Sequence, residues 1–596
     1  MTSPADPARA VAPPAEPVAE PVDLASGPAH TRSDWEKIAA GVLRKSGKLA
    51  EDDPDDLVWR RLTRTTLDGL DVSPLGTPDQ LDGLQTAGRP DRLGEWDVRA
   101  WFADPDPKAT AADIQTDLDN GVTSVWLQVG VGGVSVDDLG AALAGVLLDV
   151  APVVLDASDP VAAAEAFATL ARGTALADGT NLGAHPIGAE VRGREVAADT
   201  VRRVGGIARE LDCLAVVVDG TAVHDLGASD VQEIGYSVAV GATYLRDLVA
   251  SGMSVAEAAA LVEFRCAATD DQFLTIAKLR AARRLWARVL ELSGVPEGGW
   301  QQRQHVVTSR PMMSKYDPWV NMLRTCAAAF SAGVGGADAV TVLPFDSRLG
   351  LPNDFGRRIA RNTSALLVHE AHVARVADPA GGAYAVEKLT DDLAVAGWDE
   401  FGRIEADGGA ATALPALRER IEAVVAERGD QIAHRRRPIT GLSEFPDLTE
   451  AVPERRPYAD GLPAVRAYGE AFEDLRDEPA DGKVFLATMG TVAAHTARAT
   501  FASNLFAAGG IAVVNPGRAD DVDALLAAYA GQPVACLTGS DAAYAAWGAE
   551  LASALRDAGA RWVILAGKKP DFEVDDSCAV GVDALDFLRR TRERLA

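Results

Sequence analysis

The chain has 596 residues, of which 47% are hydrophobic and 24% are charged, and its formal net charge is -29. This length predicts at least two domains, and the composition is typical of a water-soluble globular protein. The acidity disfavours binding to nucleic acid or to anionic membranes, and no apolar run approaches the roughly 20 residues of a membrane helix. The five cysteines lack paired spacing, which indicates a reducing, cytoplasmic compartment and argues against a disulfide framework.

The N-terminal residues 1–32 are rich in proline, alanine and glutamate. This composition predicts a disordered arm, or alternatively an arm that becomes ordered on a partner. The arm lacks the basic start and apolar centre of a signal peptide, so we expect no secretion. Residues 33–94 are predicted to form a helical extension with helices at Ser33–Lys45 and Pro54–Thr65, and in the first of these Trp35, Ile38 and Val42 have helical spacing.

From about residue 95, short apolar runs alternate with alanine-rich helical segments. The predicted strands are Asp97–Phe102, Thr123–Val129, Pro152–Asp156, Asn181–Ile187, Leu214–Asp219, Val262–Ala267, His305–Ser309 and Ala339–Phe345. Most of these runs are followed by a predicted helix. The pattern favours a closed (β/α)8 barrel over residues 95–400, with a doubly wound sheet as the alternative. A further helix is predicted at Arg357–Val373, and a helical and extended linker is predicted at 401–481.

The last 115 or so residues repeat the alternation of strands and helices on a smaller scale. The predicted strands are Val484–Ala487, Ile511–Asn515, Pro533–Thr538, Trp562–Gly567 and Cys578–Val582. Five strands with four or five helices predict a flavodoxin-like domain at 482–596. Ligands of such sheets lie at the carboxyl ends of the strands, so we expect any site at Thr488–His495. The residues there are mostly threonine, valine and alanine, which are poorly suited to catalysis.

Six stretches of the predicted barrel carry long and specific patterns. They are Val223–Ala228, Ala277–Trp286, Asp317–Arg324, Ser331–Asp346, Pro352–Thr363 and Asp378–Glu387. These stretches resemble the acyl-CoA mutases that use adenosylcobalamin, above all the methylmalonyl-CoA mutase family. The resemblance extends over roughly residues 95–595. It implies a (β/α)8 barrel joined to a flavodoxin-like cobalamin domain, in agreement with the pattern of strands and helices.

The family's cobalamin loop has the form Lys-Met-Gly-x-Asp-x-His-x-x-Gly, in which the His binds cobalt and the Asp and Lys orient it. In this chain Thr488 stands in place of the Lys, Val492 in place of the Asp and Ala494 in place of the His. His495 follows one position later and is a weak candidate ligand, which we expect to be an exposed residue at a helix start. The resemblance therefore implies a degenerate loop and no cofactor in this chain.

The predicted barrel also lacks residues that active members of the family use to contact the acyl-CoA. Val125–Val136 lacks the His, Arg and Tyr that contact the acyl-CoA in active members of the family, and Gly183–Gly188 lacks their polar groups. His224 matches the His that hydrogen-bonds the thioester carbonyl, which makes it a vestigial catalytic candidate. His369 and His372 could supply only two metal ligands, so no metal site is predicted.

The leading hypothesis is a non-catalytic small subunit of a heterodimeric mutase of this family. The large catalytic subunit would bind adenosylcobalamin and the acyl-CoA, and would interconvert methylmalonyl-CoA and succinyl-CoA by radical chemistry that belongs to the cofactor. The N-terminal arm and the first helices would wrap around that partner. Two alternatives remain: a divergent catalytic acyl-CoA mutase that uses His224, and a regulatory module that docks transiently on a mutase.

Overall fold

The computed structural model describes residues 30–84, 89–90, 92–462 and 464–596. These residues belong to two compact units, one ending at Arg64 and the other beginning at Thr65. Most of the predicted N-terminal arm, residues 1–32, lies outside the described residues, so its order stays a prediction. The domain boundaries given above also stay predictions.

The first unit contains two helices, Arg32–Lys45 and Leu57–Leu62, which pack around a small apolar core. The second of these is shorter than the helix predicted at Pro54–Thr65. On the first helix, Ile38 and Val42 lie one turn apart and are 69% and 62% exposed. Two-residue strands follow at Arg64–Thr65 and Asp71–Val72.

The second unit contains a barrel of parallel strands, closed by the pairing of its last strand with its first. Within residues 92–462 these strands are β1 (Asp97–Phe102), β2 (Ser124–Val129), β3 (Val153–Ala157), β4 (Asn181–Ala184), β5 (Leu214–Asp219), β6 (Val262–Ala268), β7 (Arg303–Thr308) and β8 (Ala339–Thr341). The predicted (β/α)8 barrel is thereby confirmed, and the doubly wound sheet is excluded. Strand β4 ends three residues earlier than predicted because Pro186 begins a helix there.

Helices cover the outside of the barrel and supply most of the main apolar core. The α-helices of this part are Pro107–Leu118, Leu139–Ala142, Pro160–Leu170, Pro186–Val191, Thr200–Leu211, Thr221–His224, Asp230–Ala250, Val255–Ala259, Gln272–Leu292, Val320–Val334 and Asp354–Ala365. A 3-10 helix lies at Pro78–Leu81, a π-helical turn at Leu366–Glu370 and a 3-10 turn at Val373–Arg375.

The helix predicted at Arg357–Val373 is wrong at its C-terminal end. The α-helix ends at Ala365 and is followed by the π-helical turn. The chain then turns at His372, whose φ of 53° lies in the left-handed region and cannot continue a helix. His369 and His372 therefore do not share one helix face.

Two long helices, Tyr384–Ala406 and Leu414–Ala433, follow the barrel. The chain then crosses the carboxyl ends of the barrel strands in a segment that we call the strap, residues 455–462 and 464–468. The Tyr458 ring lies 5.8 Å from the Trp101 ring of β1. The Arg466 N–H donates to the Asp225 carbonyl, 2.9 Å away, in the loop after β5. The strap therefore covers the mouth of the barrel.

After a short helix, Glu470–Asp477, the C-terminal residues form one parallel sheet with the order β10-β9-β11-β12-β13. Its strands are β9 (Lys483–Thr488), β10 (Ala512–Val514), β11 (Val534–Thr538), β12 (Trp562–Ala566) and β13 (Asp576–Cys578). The α-helices are Val492–Ala508, Val522–Ala528, Asp541–Ala543, Ala549–Asp557 and Ala584–Leu595, with a π-helical turn at Tyr544–Gly548. This strand order is that of flavodoxin, so the predicted flavodoxin-like domain is confirmed.

A half-buried acid, Asp68, lies against the start of the long helix Asp230–Ala250. The Asp68 carboxylate accepts a hydrogen bond from the Val231 N–H at 3.4 Å. Burial raises the pKa of Asp68 from 3.8 to about 6, and the nearby Asp230 adds to the shift. Since the folded-state pKa is the higher one, ionisation of this group above about pH 6 opposes folding.

The variant Asp68→Asn is therefore expected to be more stable than the wild type at pH 7.5 by about 1–3 kcal/mol. The gain should shrink as the pH falls from 6 towards 4, because the wild-type carboxyl then becomes protonated in both states. Urea unfolding at pH 7.5 and pH 4.5 measures the difference. The exposed Asp137, changed in the same way, is the control and should show no such trend. An equal effect of Asp68→Asn at both pH values would contradict the assignment.

Candidate functional site

A cavity of about 280 Å³ lies at the carboxyl ends of the barrel strands, under the strap. Active sites of (β/α)8 barrels form at this end, from residues on several strands and the loops after them. The strands and the loops after them contribute Trp101, Trp126, Asp156, His185, Arg265 and Arg310 to its lining. The cavity therefore occupies the expected position, but its residues differ from the catalytic set that the resemblance implies.

Below the cavity, a buried ion pair spans the barrel interior. The Arg99 guanidinium of β1 donates to both carboxylate oxygens of Glu263 in β6, at 3.2 and 3.0 Å. The guanidinium of Arg303 in β7 donates to the same carboxylate at 3.4 Å. Strands β1 and β6 are not neighbours in the barrel, so the contact between them crosses its axis.

A second layer of large side chains lies between this ion pair and the cavity. The Arg265 guanidinium of β6 donates to Asp156 of β3 at 2.9 Å and stacks over the Trp126 ring of β2 at 4.1 Å. The His305 ring of β7 meets the Trp126 ring edge-on at 5.2 Å, and it hydrogen-bonds Thr341 at 2.7 Å. The side chains of Arg265, Trp126 and His305 are at most 1% exposed. An eight-stranded barrel has an interior just wide enough for side chains, so these residues fill its axis.

The surroundings of Asp156 and His305 in this layer fix the protonation state of each side chain. Burial alone would raise the pKa of Asp156, but His185 and Arg265 hold it well below its usual value, so the group is a carboxylate. Burial lowers the pKa of His305 well below its usual value, and Arg99 adds to this effect, so the ring is neutral. Both groups therefore keep one protonation state near neutral pH and are unsuited to moving a proton there.

The vestigial catalytic candidate, His224, does not line the cavity. It ends the short helix after β5 and is 3% exposed. Its Nε2 lies 2.7 Å from the Ser309 hydroxyl, and its Nδ1 lies 3.4 Å from the Glu233 carboxylate. The ring of Tyr468, from the strap, covers it edge-on at 6.5 Å. Both ring nitrogens of His224 thus have protein partners.

The polar residues of the cavity were not found from the sequence. Gly183–Gly188 is predicted to lack the polar groups of the active family members, and no role is predicted for His185 within it, yet His185 lies 3.1 Å from Asp156 and lines the cavity. A signal was available at Glu263 and Arg265, two positions apart in an otherwise apolar strand. Parallel strands covered by helices normally read as continuous hydrophobic runs, and alternate residues face one side. Charges at that spacing indicate a polar barrel interior.

In the C-terminal domain, the degenerate loop forms the turn and the first helical turn after β9. Thr488 ends β9, and its hydroxyl donates to the Gly517 carbonyl. Val492 is 61% exposed and begins the helix three residues earlier than predicted, so Ala494 lies in the first turn. His495 is 5% exposed, contrary to the expected exposed position, and its Nδ1 lies 3.3 Å from the Gly490 carbonyl.

Two side chains fill the space at the carboxyl ends of β11 and β12. The Tyr544 hydroxyl accepts from the Gly539 N–H at 3.0 Å and lies 2.8 Å from the Ala566 carbonyl. The Arg498 guanidinium covers the Tyr544 ring at 4.8 Å and donates to the Gly539 carbonyl at 2.7 Å. With no imidazole at Ala494 and with this slot filled, the residues present do not fit a cobalamin.

No group of three metal-ligating side chains occurs within the described ranges. His369 is 64% exposed and lies 3.5 Å from the Glu95 carboxylate, which is an exposed contact without a third ligand. In the part of the chain that the structure describes, no helix combines the length and apolar character needed to span a membrane.

A closed barrel with a filled axis, followed by a flavodoxin-like domain, defines a two-domain α/β barrel protein. A family model described as methylmalonyl-CoA mutase matches residues 209–507. The methylmalonyl-CoA mutase small subunit of Streptomyces virginiae is 47% identical over 95% of this chain and 97% of its own length. The small subunit of Propionibacterium freudenreichii subsp. shermanii is 37% identical over 95% of each chain.

A probable methylmalonyl-CoA mutase small subunit of Mycobacterium bovis is 42% identical over 90% of this chain and 92% of its own length. The chain therefore belongs to the methylmalonyl-CoA mutase family, a family of isomerases. The resemblance seen in the sequence is confirmed.

Proposed function

We propose that this chain is the non-catalytic small subunit of a heterodimeric methylmalonyl-CoA mutase. Its partner is a large subunit that binds adenosylcobalamin and the acyl-CoA and interconverts methylmalonyl-CoA and succinyl-CoA. In this proposal the small subunit supplies a stable scaffold for the catalytic subunit and takes no part in the chemistry.

The filled barrel axis is the observation that carries the proposal. The Arg99–Glu263 ion pair crosses the interior, and Arg265 and Trp126 fill the layer above it. A CoA tail could enter such a barrel only if these buried groups moved apart. Breaking a buried ion pair costs several kcal/mol, so the barrel is built to stay closed.

Two further features support a non-catalytic role. His224 hydrogen-bonds Ser309 and is covered by Tyr468, so it offers no free nitrogen to a thioester carbonyl. In the C-terminal domain, Ala494 and the Tyr544–Arg498 pair leave neither a cobalt ligand nor a slot for the nucleotide tail. We infer that the cofactor of the complex is bound by the partner.

The partnership itself is supported by the printed names of the relatives, which call them small subunits. A small subunit requires a larger partner. On the first unit of this chain, Ile38 and Val42 form an exposed apolar stripe, as expected for a surface that a partner covers. An interface between permanent subunits is expected to bury well over about 1,600 Å².

The proposal is tested by expressing the chain alone and together with a longer homologue that carries an intact Lys-Met-Gly-x-Asp-x-His loop. Alone, the chain should contain no cobalamin by absorbance and show no turnover. Together, the two should purify as a 1:1 complex by size-exclusion chromatography with light scattering, with one cobalamin per complex. Stoichiometric cobalamin or turnover on the isolated chain would instead establish a divergent catalytic mutase. A complex that dissociates on the column would establish a regulatory module that docks transiently.

A matched pair of variants separates the roles of the two subunits. His224→Gln in this chain retains a hydrogen-bonding side chain beside Ser309, and the complex should keep its turnover within about twofold. The equivalent change in the large subunit replaces the imidazole donor to the thioester carbonyl by a neutral amide of different geometry, and it should lower turnover by about 100-fold or more. A comparable loss from His224→Gln would contradict the non-catalytic assignment.

A further inference from the structure

The cavity under the strap has an unusual charge for so acidic a chain. Five guanidinium groups line it: Arg192, Arg194, Arg265, Arg310 and Arg348. The carboxylates that pair with four of them are Asp156, Asp219, Asp225 and Glu473. The five guanidinium groups and their four carboxylate partners together carry one more positive than negative charge, in a protein whose net charge is -29.

Arg194 supplies the unbalanced charge. Among the described residues it forms no ion pair, and its guanidinium donates to the Gly461 carbonyl of the strap. Its partial burial lowers its pKa, the nearby Arg192 adds to the shift, and the attraction of Asp156 offsets only part of it. An anion in the cavity would supply the missing compensation.

Arg265 provides a second, independent indication. Its side chain is 1% exposed, and while Nη1 pairs with Asp156, neither Nε nor Nη2 has a hydrogen-bond partner. Unpaired buried donors on a guanidinium are costly, and native structures rarely leave them so. The indole N–H of Trp101, which also lines the cavity, lacks a partner too. These groups are all donors, so the missing partner is an acceptor.

Apart from Gln128, Asp156, His185 and Ser347, the remaining walls are apolar. They are formed by the rings of Trp101, Trp126 and Tyr458 and by the side chains of Met313 and Leu343. Such walls suit a hydrocarbon or aromatic body rather than a bare hydrated ion. The volume of about 280 Å³ corresponds to roughly nine water molecules at about 30 Å³ each, which limits the ligand to a small molecule.

We propose that the cavity under the strap binds a small organic oxyanion, a carboxylate or phosphate ester with a compact apolar body. The oxyanion lies against Arg194 and Arg265, whose planar guanidinium groups match the geometry of carboxylate and phosphate oxygens. The body lies against the tryptophan rings of β1 and β2. The site requires neither a CoA tail nor a cobalamin, so it goes beyond the proposed function and does not depend on it.

Calorimetric titration of the full chain tests the proposal with four probes: benzoate, phenyl phosphate, inorganic phosphate and the neutral benzamide. At constant ionic strength, benzoate or phenyl phosphate should bind one site with a Kd below about 1 mM, and the tryptophan fluorescence should change in parallel. Benzamide should bind at least about tenfold more weakly, because it lacks the charge. Whichever of benzoate and phenyl phosphate binds more tightly shows whether the site prefers a carboxylate or a phosphate ester. Phosphate binding as tightly as phenyl phosphate would overturn the requirement for an organic body.

Arg194→Gln should weaken binding of the preferred probe by about tenfold or more while leaving the fold intact, as judged by circular dichroism. The matched control is Arg203→Gln, on a surface helix where the guanidinium is half exposed and pairs with Glu165. It should leave the affinity unchanged. No saturable binding of either organic anion up to 10 mM, or equal affinities of Arg194→Gln and the wild type, would overturn the proposal.

Discussion

Replacing Glu263 by leucine is expected to lower the free energy of unfolding of the barrel by about 3–5 kcal/mol. Glu263 is fully buried and balances the guanidinium groups of Arg99 and Arg303. Without it, the buried Arg99 keeps only the carboxylate of Asp97 at the edge of the barrel, 3.1 Å away. Urea unfolding followed by tryptophan fluorescence measures the loss.

Two control variants test whether the loss of stability comes from the unpaired buried charge. Glu405→Leu breaks an ion pair with Arg246 at the surface, where the two side chains are 28% and 59% exposed, and it should cost less than about 1 kcal/mol. The double variant Arg99→Leu/Glu263→Leu removes both charges, and it should recover at least half of the loss, because paired apolar groups need no compensation. A loss below about 1 kcal/mol from Glu263→Leu alone would contradict the view that this pair closes the barrel.

Gly183→Ala is expected to cost more than about 4 kcal/mol or to prevent folding. Gly183 lies in β4 with a φ of 73°, at a place where the register between β4 and β5 shifts. An added Cβ would lie 1.7 Å from the carbonyl oxygen of Leu155 in the neighbouring strand, and a backbone atom cannot move aside as a side chain can. Soluble yield, circular dichroism and the thermal midpoint report the effect.

The matched control for this variant is Gly173→Ala. Gly173 has a similar φ of 81°, but an added Cβ there would meet nothing within 4 Å. Its cost should be about 1 kcal/mol, which is the price of the left-handed conformation alone. If both substitutions cost the same, the close contact with Leu155 is not what requires glycine at position 183.

These two predictions concern the same property of the molecule. In a barrel enzyme, the interior near the strand ends is normally given over to binding and catalysis. Here the layers formed by Arg99, Glu263, Arg265 and Trp126 hold the strands together across the axis. In the proposed role the barrel is a rigid support, and a cavity for a ligand lies above Trp126.

The sequence was most informative where local pattern and burial agree. Strands such as β1 and β5 were predicted with the observed bounds, because each is an apolar run bounded by turn residues. The predictions failed where a strand end depends on its surroundings. Strand β8 ends at Thr341 rather than Phe345, and the helix after β9 begins at Val492 rather than His495. Such ends are set by packing and capping contacts, which periodicity does not encode.

The residues of the candidate site also fall into those that the sequence could predict and those that only the structure brings together. The resemblance predicts an empty ligand position at Ala494, because the family's loop is a short continuous motif. The filled slot could not, since Tyr544 and Arg498 meet only when the helices after β9 and β11 pack at the same edge of the sheet. The arginine-lined cavity likewise joins residues from across the chain, such as Arg194 and Arg310.

The sequence by itself determined the barrel, the flavodoxin-like domain and the family, because these depend on repeated local patterns and continuous motifs. Through the resemblance it also predicts which groups of the family's cobalamin loop have no counterpart at Thr488, Val492 and Ala494. Only the tertiary structure decided that the barrel axis is closed, that His224 is covered, and that unpaired guanidinium donors of Arg265 line the mouth. The reason is that side-chain contacts across a barrel join residues over 150 positions apart, such as Arg99 and Glu263, and no local pattern records them.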